Sequence, residues 1–253
     1  TALSTFGTEI DLGTYGVGNK DYIQTIDYDG DGKRDLLVAQ HEGMTWRVIR
    51  FKPSSSTKPN CARPQEVNCG STTTTYAYTL TDTYKLAYGY NTGATVADVD
   101  GDGLEDIVFI KDNKFQVYRN LGVDADGNPK GMEHKTDFGG FGGTNPADGI
   151  STELRTASAD MKSASMFDVN GDGKTDILVK VTEGACSKPA INAGDCSEAG
   201  GSWTSASVYK LYTSDGSRYN FAQTLGQMRD IRAGDLNGDG YTDLIYRNKL
   251  NNF

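Results

Sequence analysis

Oxygen-bearing side chains recur in this chain at a fixed spacing inside a short glycine-containing segment. The first copy, at residues 27–35, has the sequence D-Y-D-G-D-G-K-R-D. Carboxylate oxygens occupy positions 1, 3, 5 and 9 of this segment, and glycine occupies positions 4 and 6. A set of oxygen donors without thiolate or imidazole suits a hard cation, and calcium fits it best. The chemistry that this spacing predicts is therefore calcium chelation.

Three further copies follow at residues 98–106, 168–176 and 235–243, so the segment belongs to an internal repeat. A solvated turn would explain a single copy, but four copies in register make that interpretation a poor one. We expect about four Ca²⁺ ions, each bound by the side chains at positions 1, 3, 5 and 9 and by the backbone carbonyl of position 7. The predicted ligands are Asp27, Asp29, Asp31, Lys33, Asp35, Asp98, Asp100, Asp102, Leu104, Asp106, Asp168, Asn170, Asp172, Lys174, Asp176, Asp235, Asn237, Asp239, Tyr241 and Asp243.

The main rival is the helix–loop–helix calcium site, whose loop begins in the same way. That site needs an acidic residue at position 12 and a helix after it. Position 12 of the four copies is Val38, Phe109, Val179 and Tyr246. Strand-forming runs such as L-L-V follow position 9, so we expect a loop between two strands. The segment D-A-D-G-N at 124–128 has no partner at position 9, and a plain turn is predicted there.

The surrounding sequence predicts the strands that must position these loops. Runs rich in β-branched and aromatic residues alternate with turn-forming residues. The best helix candidate, residues 152–161, is weak. About four strands per repeat, with the loop between the first and second, predict an all-β fold, a β-propeller of four-stranded blades. We expect a single domain, 1–253, that is either a small closed propeller or part of a larger one. Its repeat units span about residues 1–90, 91–160, 161–230 and 231–253, and the last unit is incomplete.

The charge and hydropathy of the chain argue against nucleic acid binding and membrane insertion. The net charge of −9 lies mostly in the four segments, and four calcium ions would offset nearly all of it. No basic surface for nucleic acid is apparent, and no apolar run approaches the roughly 18–20 residues that cross a bilayer. The chain begins at Thr1, and we expect a mature protein or an excised fragment of a larger polypeptide with other domains.

Four cysteines form two close pairs, Cys61 with Cys69 and Cys186 with Cys196, inside inserts at 53–73 and 185–202. Four cysteines allow three pairings, and the nearest-neighbour disulfides are our prediction. Such disulfides favour an extracellular location, secreted or at the cell surface. A zinc site is the alternative, but neither His41 nor His134 has a useful spacing to the cysteines.

The pattern D-x-[DN]-G-D-G-x-x-D before an apolar strand resembles the FG-GAP repeat, also called the integrin-α-like or VCBS-type repeat. The resemblance covers all four units, although the units are long and lack clear F-G-x-x-x-G-A-P strings. It implies a calcium-bearing β-propeller whose loops join the first two strands of each blade. Proteins with this repeat are mostly secreted or surface-exposed, and their ligands vary widely.

A binding or adhesion module for a protein or glycan is therefore the predicted function. Candidate ligand anchors are Phe138, Phe141 and Trp203, on the propeller face opposite the calcium loops, because aromatic residues dominate binding hot spots. Packing between blades is their alternative role. Two scattered histidines and carboxylates committed to ions give little support for catalysis. Alternative functions are a structural propeller of a toxin-complex or Rhs-type shell and an accessory domain of a secreted hydrolase.

Overall fold

The computed structural model describes residues 11–18, 21–40, 45–59, 72–86, 94–111, 114–139, 155–186 and 197–248. It describes only the backbone at residues 51–59, 72–84, 155–160, 162–163, 183–186, 203, 205–206 and 248. The chain divides into two compact units, Thr1–Asn91 and Thr92–Phe253. Within the described ranges, no helix has both the length and the apolar character needed to cross a membrane.

The first unit contains one antiparallel sheet. Its strands pair in chain order, and they are β1 (Tyr22–Ile26), β2 (Asp35–Gln40), β3 (Thr45–Pro59) and β4 (Thr72–Leu86). A short 3-10 helix, Leu12–Tyr15, precedes the sheet, and the Asp11 side chain caps it by accepting a hydrogen bond from the Gly13 N–H. Leu12 packs beside the buried side chains of Val38 and Ile49.

The second unit contains two sheets of four antiparallel strands and one of two strands. The first sheet holds β5 (Ala94–Ala97), β6 (Asp106–Lys111), β7 (Lys114–Asn120) and β8 (Met132–Lys135). The next holds β9 (Arg155–Phe167), β10 (Asp176–Cys186), β11 (Trp203–Ser214) and β12 (Tyr219–Gly226). The last pairs β13 (Met228–Gly234) with β14 (Asp243–Asn248). The predicted all-β class is therefore confirmed, and each four-stranded sheet follows chain order.

Consecutive sheets of the second unit share hydrophobic cores. Val108 and Phe115 of the β5–β8 sheet pack in one buried cluster with Val179 and Tyr212 of the β9–β12 sheet. The Phe115 and Tyr212 rings meet edge to face with centroids 5.1 Å apart, a favoured aromatic geometry. On the opposite face of β10, a second cluster joins that sheet to β13 and β14. Because β6 and β10 are covered on both faces, they are continuous apolar runs rather than alternating ones.

Three local predictions have clear outcomes. The weak helix candidate at 152–161 is wrong, because β9 begins at Arg155 and pairs with β10. The predicted insert at 53–73 is partly strand, since β3 continues to Pro59 and β4 begins at Thr72. The segment at 124–128 is a turn, in which the Asp124 carboxylate accepts backbone N–H groups from Asp126 at 3.0 Å and Asn128 at 2.8 Å.

Candidate metal centres

The four acidic segments each join the first two strands of a sheet. We call them loop 1 (Asp27–Asp35), loop 2 (Asp98–Asp106), loop 3 (Asp168–Asp176) and loop 4 (Asp235–Asp243). In each, the last aspartate is the first residue of the second strand. A loop tied to two paired strands has fixed ends, and its carboxylates are therefore held near one another.

The position-1 aspartate organises the turn of each loop. In loop 2, the Asp98 carboxylate accepts the N–H groups of Gly101 at 2.7 Å and of Gly103 at 2.8 Å. The bond from the position-6 glycine recurs in all four loops, at 2.8–3.0 Å. The backbone thus holds the position-1 carboxylate so that its oxygens face the inside of the loop.

Glycines at positions 4 and 6 make this turn possible. All eight have φ between 72° and 88°, a region that side chains with a Cβ rarely adopt. In loop 2 the angles are 78° at Gly101 and 85° at Gly103. The G-D-G core of each motif is therefore needed for backbone geometry as well as for spacing.

The position-5 aspartate holds the position-7 residue, whose carbonyl is a predicted ligand. The position-7 N–H donates to the position-5 carboxylate at 2.8–2.9 Å in every loop. The position-7 residues are Lys33, Leu104, Lys174 and Tyr241. The four differ in side chain but share this backbone bond, as expected for positions that contribute through the main chain.

The position-9 aspartate connects the loop to the sheet. In loop 2, Asp106 accepts the N–H groups of Val99 at 3.0 Å and of Asn120 at 2.7 Å. Asp176 of loop 3 accepts equivalent bonds from Val169 at 2.9 Å and Ser214 at 2.8 Å. Asp106 and Asp176 are fully buried. This carboxylate therefore ties the loop to the third strand whether or not an ion is bound.

Burial makes the position-9 carboxylates electrostatically costly. Burial, together with the negative charges of Asp100 and Asp102, raises the pKa of Asp106 from its ordinary 3.8 to about 7, against the opposing effect of the Asn120 and Val99 hydrogen bonds. Burial likewise raises the pKa of Asp176 and of Asp100. A bound divalent cation would reverse this preference, because it favours the ionised carboxylate.

The donor oxygens of loops 1 and 2 converge. One carboxylate oxygen from each of Asp27, Asp29 and Asp31 lies within 4.8 Å of the other two, and the same holds for Asp98, Asp100 and Asp106. Among the residues described, these are the groups of His, Cys, Asp and Glu that meet this closely. Loops 3 and 4 have Asn170 and Asn237 at position 3, so each contributes one carboxylate fewer. An all-oxygen set of this kind fits calcium.

Two arginines lie at these centres that the loop motif does not reveal. Arg50 on β3 forms an ion pair with Asp29, and Arg119 on β7 forms one with Asp100. Both partners are position-3 aspartates with largely buried side chains, 11% and 7% exposed. The signal was the place of each arginine on the third strand of its sheet, which becomes meaningful only once the strand register is known.

Loops 2 and 3 are also joined directly. The Thr175 N–H donates to the Asp98 carbonyl at 2.7 Å, and the Ser214 hydroxyl donates to the Val99 carbonyl at 2.5 Å. Since the Val99 N–H binds Asp106 and the Ser214 N–H binds Asp176, two residues link the position-9 carboxylates of adjacent repeats. This buried chain of hydrogen bonds couples the geometry of one loop to that of the next.

The predicted ligand anchors have different outcomes. Phe138 is 1% exposed and packs edge to face on Tyr219, with ring centroids 5.4 Å apart, so it has the alternative role of packing between sheets. Phe141 lies outside the described residues. Trp203 begins β11 and pairs with Cys186, at the end of the sheet opposite loop 3, and its side chain is outside the description.

The predicted disulfides also fall outside the description. Cys61, Cys69 and Cys196 are not among the described residues, and Cys186 is described only as backbone at the end of β10. Both pairings therefore stay predictions.

One comparison with known proteins gives a match. A family model described as an FG-GAP-like repeat matches residues 98–179, which run from the start of loop 2 past the end of loop 3. No curated protein and no solved structure matches the chain. The match covers the two loops whose position-9 carboxylates are joined through Val99 and Ser214.

Proposed function

Since this chain contains an FG-GAP-like repeat at residues 98–179, we propose that it is a calcium-stabilised β-propeller that serves as a non-enzymatic extracellular binding module. The observation that supports this most is the uniformity of the four loops. Each one joins the first two strands of a sheet, and each has the same bonds to its position-1 and position-5 carboxylates. Such a frame presents oxygen donors and has no evident chemical task beyond ion binding.

The proposed calcium ligands are the side chains at positions 1, 3, 5 and 9 and the carbonyl at position 7. When bound, the ion supplies positive charge among carboxylates that otherwise repel one another. At Asp106, burial and the negative charges of Asp100 and Asp102 together raise the pKa of the carboxyl. Calcium therefore stabilises the loops, while their hydrogen bonds set the positions of the ligands.

The propeller proposal rests on sheet order and packing. Every four-stranded sheet is an antiparallel meander, and consecutive sheets of the second unit pack face to face. A propeller blade has this strand order and this packing. Small-angle scattering would test the proposal, because a ring of blades gives a compact globular profile and separated sheets give an extended one.

Calcium binding is tested by titrating the chelator-treated chain with CaCl₂ by calorimetry. We expect about four ions, with dissociation constants near the roughly 10⁻⁴–10⁻³ M range of extracellular modules. Asp98→Asn should lose one ion, whereas Asp126→Asn, in the turn at 124–128, should lose none. Absence of calcium uptake by the unaltered chain would refute the proposal.

The binding role is tested on a glycan array with the calcium-loaded chain. Phe141→Ala and Trp203→Ala should reduce binding without changing calcium content. Phe221→Ala, which removes an aromatic side chain that is 58% exposed on β12, is the matched control. Array signals that are unchanged in both variants would exclude these two anchors. Absence of any glycan signal would leave a protein ligand or a structural role in a larger assembly as the better assignment.

A further inference from the structure

The arginine ion pairs divide the four loops into two classes. Loops 1 and 2 have an aspartate at position 3, and in each an arginine of the third strand pairs with it. Loops 3 and 4 have an asparagine at that position. Among the four predicted side-chain ligands, position 3 is where the charge varies, because positions 1, 5 and 9 are aspartate in every loop.

Strand register shows that the arginine positions are equivalent. The residue after position 9 pairs with Ile49 in the first sheet, with Tyr118 in the second and with Tyr212 in the third. The next residue along the third strand is Arg50, Arg119 and Thr213, respectively. An arginine therefore occupies this place in loops 1 and 2, where position 3 is aspartate, and a neutral threonine occupies it in loop 3, where position 3 is asparagine.

The two substitutions offset one another in charge. Loops 1 and 2 each combine four predicted ligand carboxylates with one arginine, and loop 3 combines three carboxylates with a neutral residue, so each of these sets sums to −3. Lys33 and Lys174, which pair with the position-5 carboxylates of loops 1 and 3, add a positive charge that loop 2 lacks. The arginine lies close enough to affect a bound ion, because its guanidinium contacts a carboxylate that belongs to the converging donor set.

We propose that Arg50 and Arg119 are fixed counter-charges that set the cation affinity of loops 1 and 2. The inference rests on the proposed calcium binding at these loops. A fourth carboxylate strengthens the attraction for a divalent ion, and the guanidinium both cancels that charge and competes for the oxygens of Asp29 and Asp100. The ion affinity of loops 1 and 2 is thereby held below the value that four carboxylates without an arginine would give.

The size of the effect follows from Coulomb's law. A unit charge roughly 6 Å from a divalent ion changes its affinity by about tenfold even at the dielectric constant of water, and by more at a partly buried site. Removal of the arginine should therefore tighten calcium binding at its own loop by about tenfold or more, and it should affect the other loops much less, because they lie farther from the removed charge.

The position-6 glycines give a reporter for each loop. The Gly103 N–H donates to Asp98 in loop 2, and the Gly173 N–H donates to Asp168 in loop 3. Their amide resonances in a ¹⁵N spectrum of the full chain will therefore respond to ion binding at separate loops. A CaCl₂ titration that follows both signals yields a dissociation constant for each loop.

Arg119→Met should lower the calcium dissociation constant reported by Gly103 about tenfold and change the Gly173 value much less. Lys114→Met is the matched control, because Lys114 lies on the same strand but pairs with Asp137 away from the loop. An unchanged or weaker affinity in Arg119→Met would overturn the counter-charge role.

If Arg119→Met fails to fold, introduction of the aspartate–arginine pair into loop 3 provides a second test. Asn170→Asp adds the fourth carboxylate without an arginine and should tighten the Gly173-reported affinity about tenfold. Addition of Thr213→Arg should return it towards the unaltered value, and failure to do so would overturn the proposal. If the unaltered chain binds no calcium, the proposed function itself fails. If the unaltered chain binds calcium but the variants do not change its affinity, only the counter-charge role is refuted.

Discussion

The hydroxyl of Ser214 is a sensitive point in this fold, because it joins two repeats. It donates to the Val99 carbonyl at 2.5 Å and accepts the Gly216 N–H at 3.1 Å. Val99 is fully buried and Ser214 is 3% exposed, so water cannot readily replace the lost group. Ser214→Ala removes the hydroxyl and leaves the backbone bond from Ser214 to Asp176 in place.

The expected magnitude follows from the buried carbonyl that is left without its donor. Loss of such a partner costs about 1–3 kcal/mol of unfolding free energy. For a chain of this size, about 2 kcal/mol lowers the melting temperature by roughly 4–8 °C. Ser217→Ala is the matched control. The Ser217 hydroxyl donates to Asp215 in the exposed part of the same turn, and its loss should change stability by only about 0.5 kcal/mol or less.

Differential scanning calorimetry of both variants in calcium measures the effect. Amide hydrogen exchange adds a local readout, since Ser214→Ala should speed exchange at Gly101 and Gly103 of loop 2, in the neighbouring repeat. A melting temperature equal to that of Ser217→Ala, with unchanged exchange in loop 2, would refute the claim that this hydroxyl couples the loops.

Two further predictions concern packing and pH. Gly139→Ala should unfold the second unit or lower its melting temperature by more than any surface change, because the added Cβ would lie 2.3 Å from the Tyr219 carbonyl oxygen at a φ of 98°. Circular dichroism melting would show this effect. Gly127→Ala is the control that separates the steric clash from the backbone strain, because Gly127 has a φ of 78° but no atom within 4 Å of its Cβ. In EDTA, stability should fall as pH rises from about 4 to 7, because the folded-state pKa of Asp106 is about 7 and its ordinary value is 3.8. The folded state then holds a proton that the unfolded state has lost, and the shift corresponds to about 4 kcal/mol. Urea titrations should show this slope. Asp100 and Asp176, whose pKa values are also raised, contribute part of it, so an undiminished slope in Asp106→Asn would contradict the assignment.

The fold class and the loop positions could be predicted from the sequence because they depend on local chemistry. Gly101 and Gly103 are needed at their positive φ values, and an apolar run after Asp106 can continue only as a strand in this context. The repeated spacing also predicted donor side chains that converge, as those of Asp98, Asp100 and Asp106 do in loop 2.

The ion pairs could not be predicted in the same way. Arg119 is separated from Asp100 along the chain, and their contact depends on the register of β6 with β7. The first part of β9, residues 155–161, was missed for a similar reason, since its polar and small residues have weak local preference and their pairing with β10 decides the structure. Long-range pairing overrides local propensity at both places.

Comparison of the loops with one another separates two tasks within one motif. The bonds that shape the backbone, to the carboxylates at positions 1 and 5, are the same in all four loops. The charge at position 3 varies, and in loops 1 to 3 its variation is matched on the third strand. The position-3 side chain also accepts the position-5 N–H in loops 2, 3 and 4, through an oxygen that aspartate and asparagine share. A change at positions 1 or 9 should therefore disturb both the fold and the proposed ion site, whereas an exchange of aspartate and asparagine at position 3 should shift ion affinity while the loop keeps its shape.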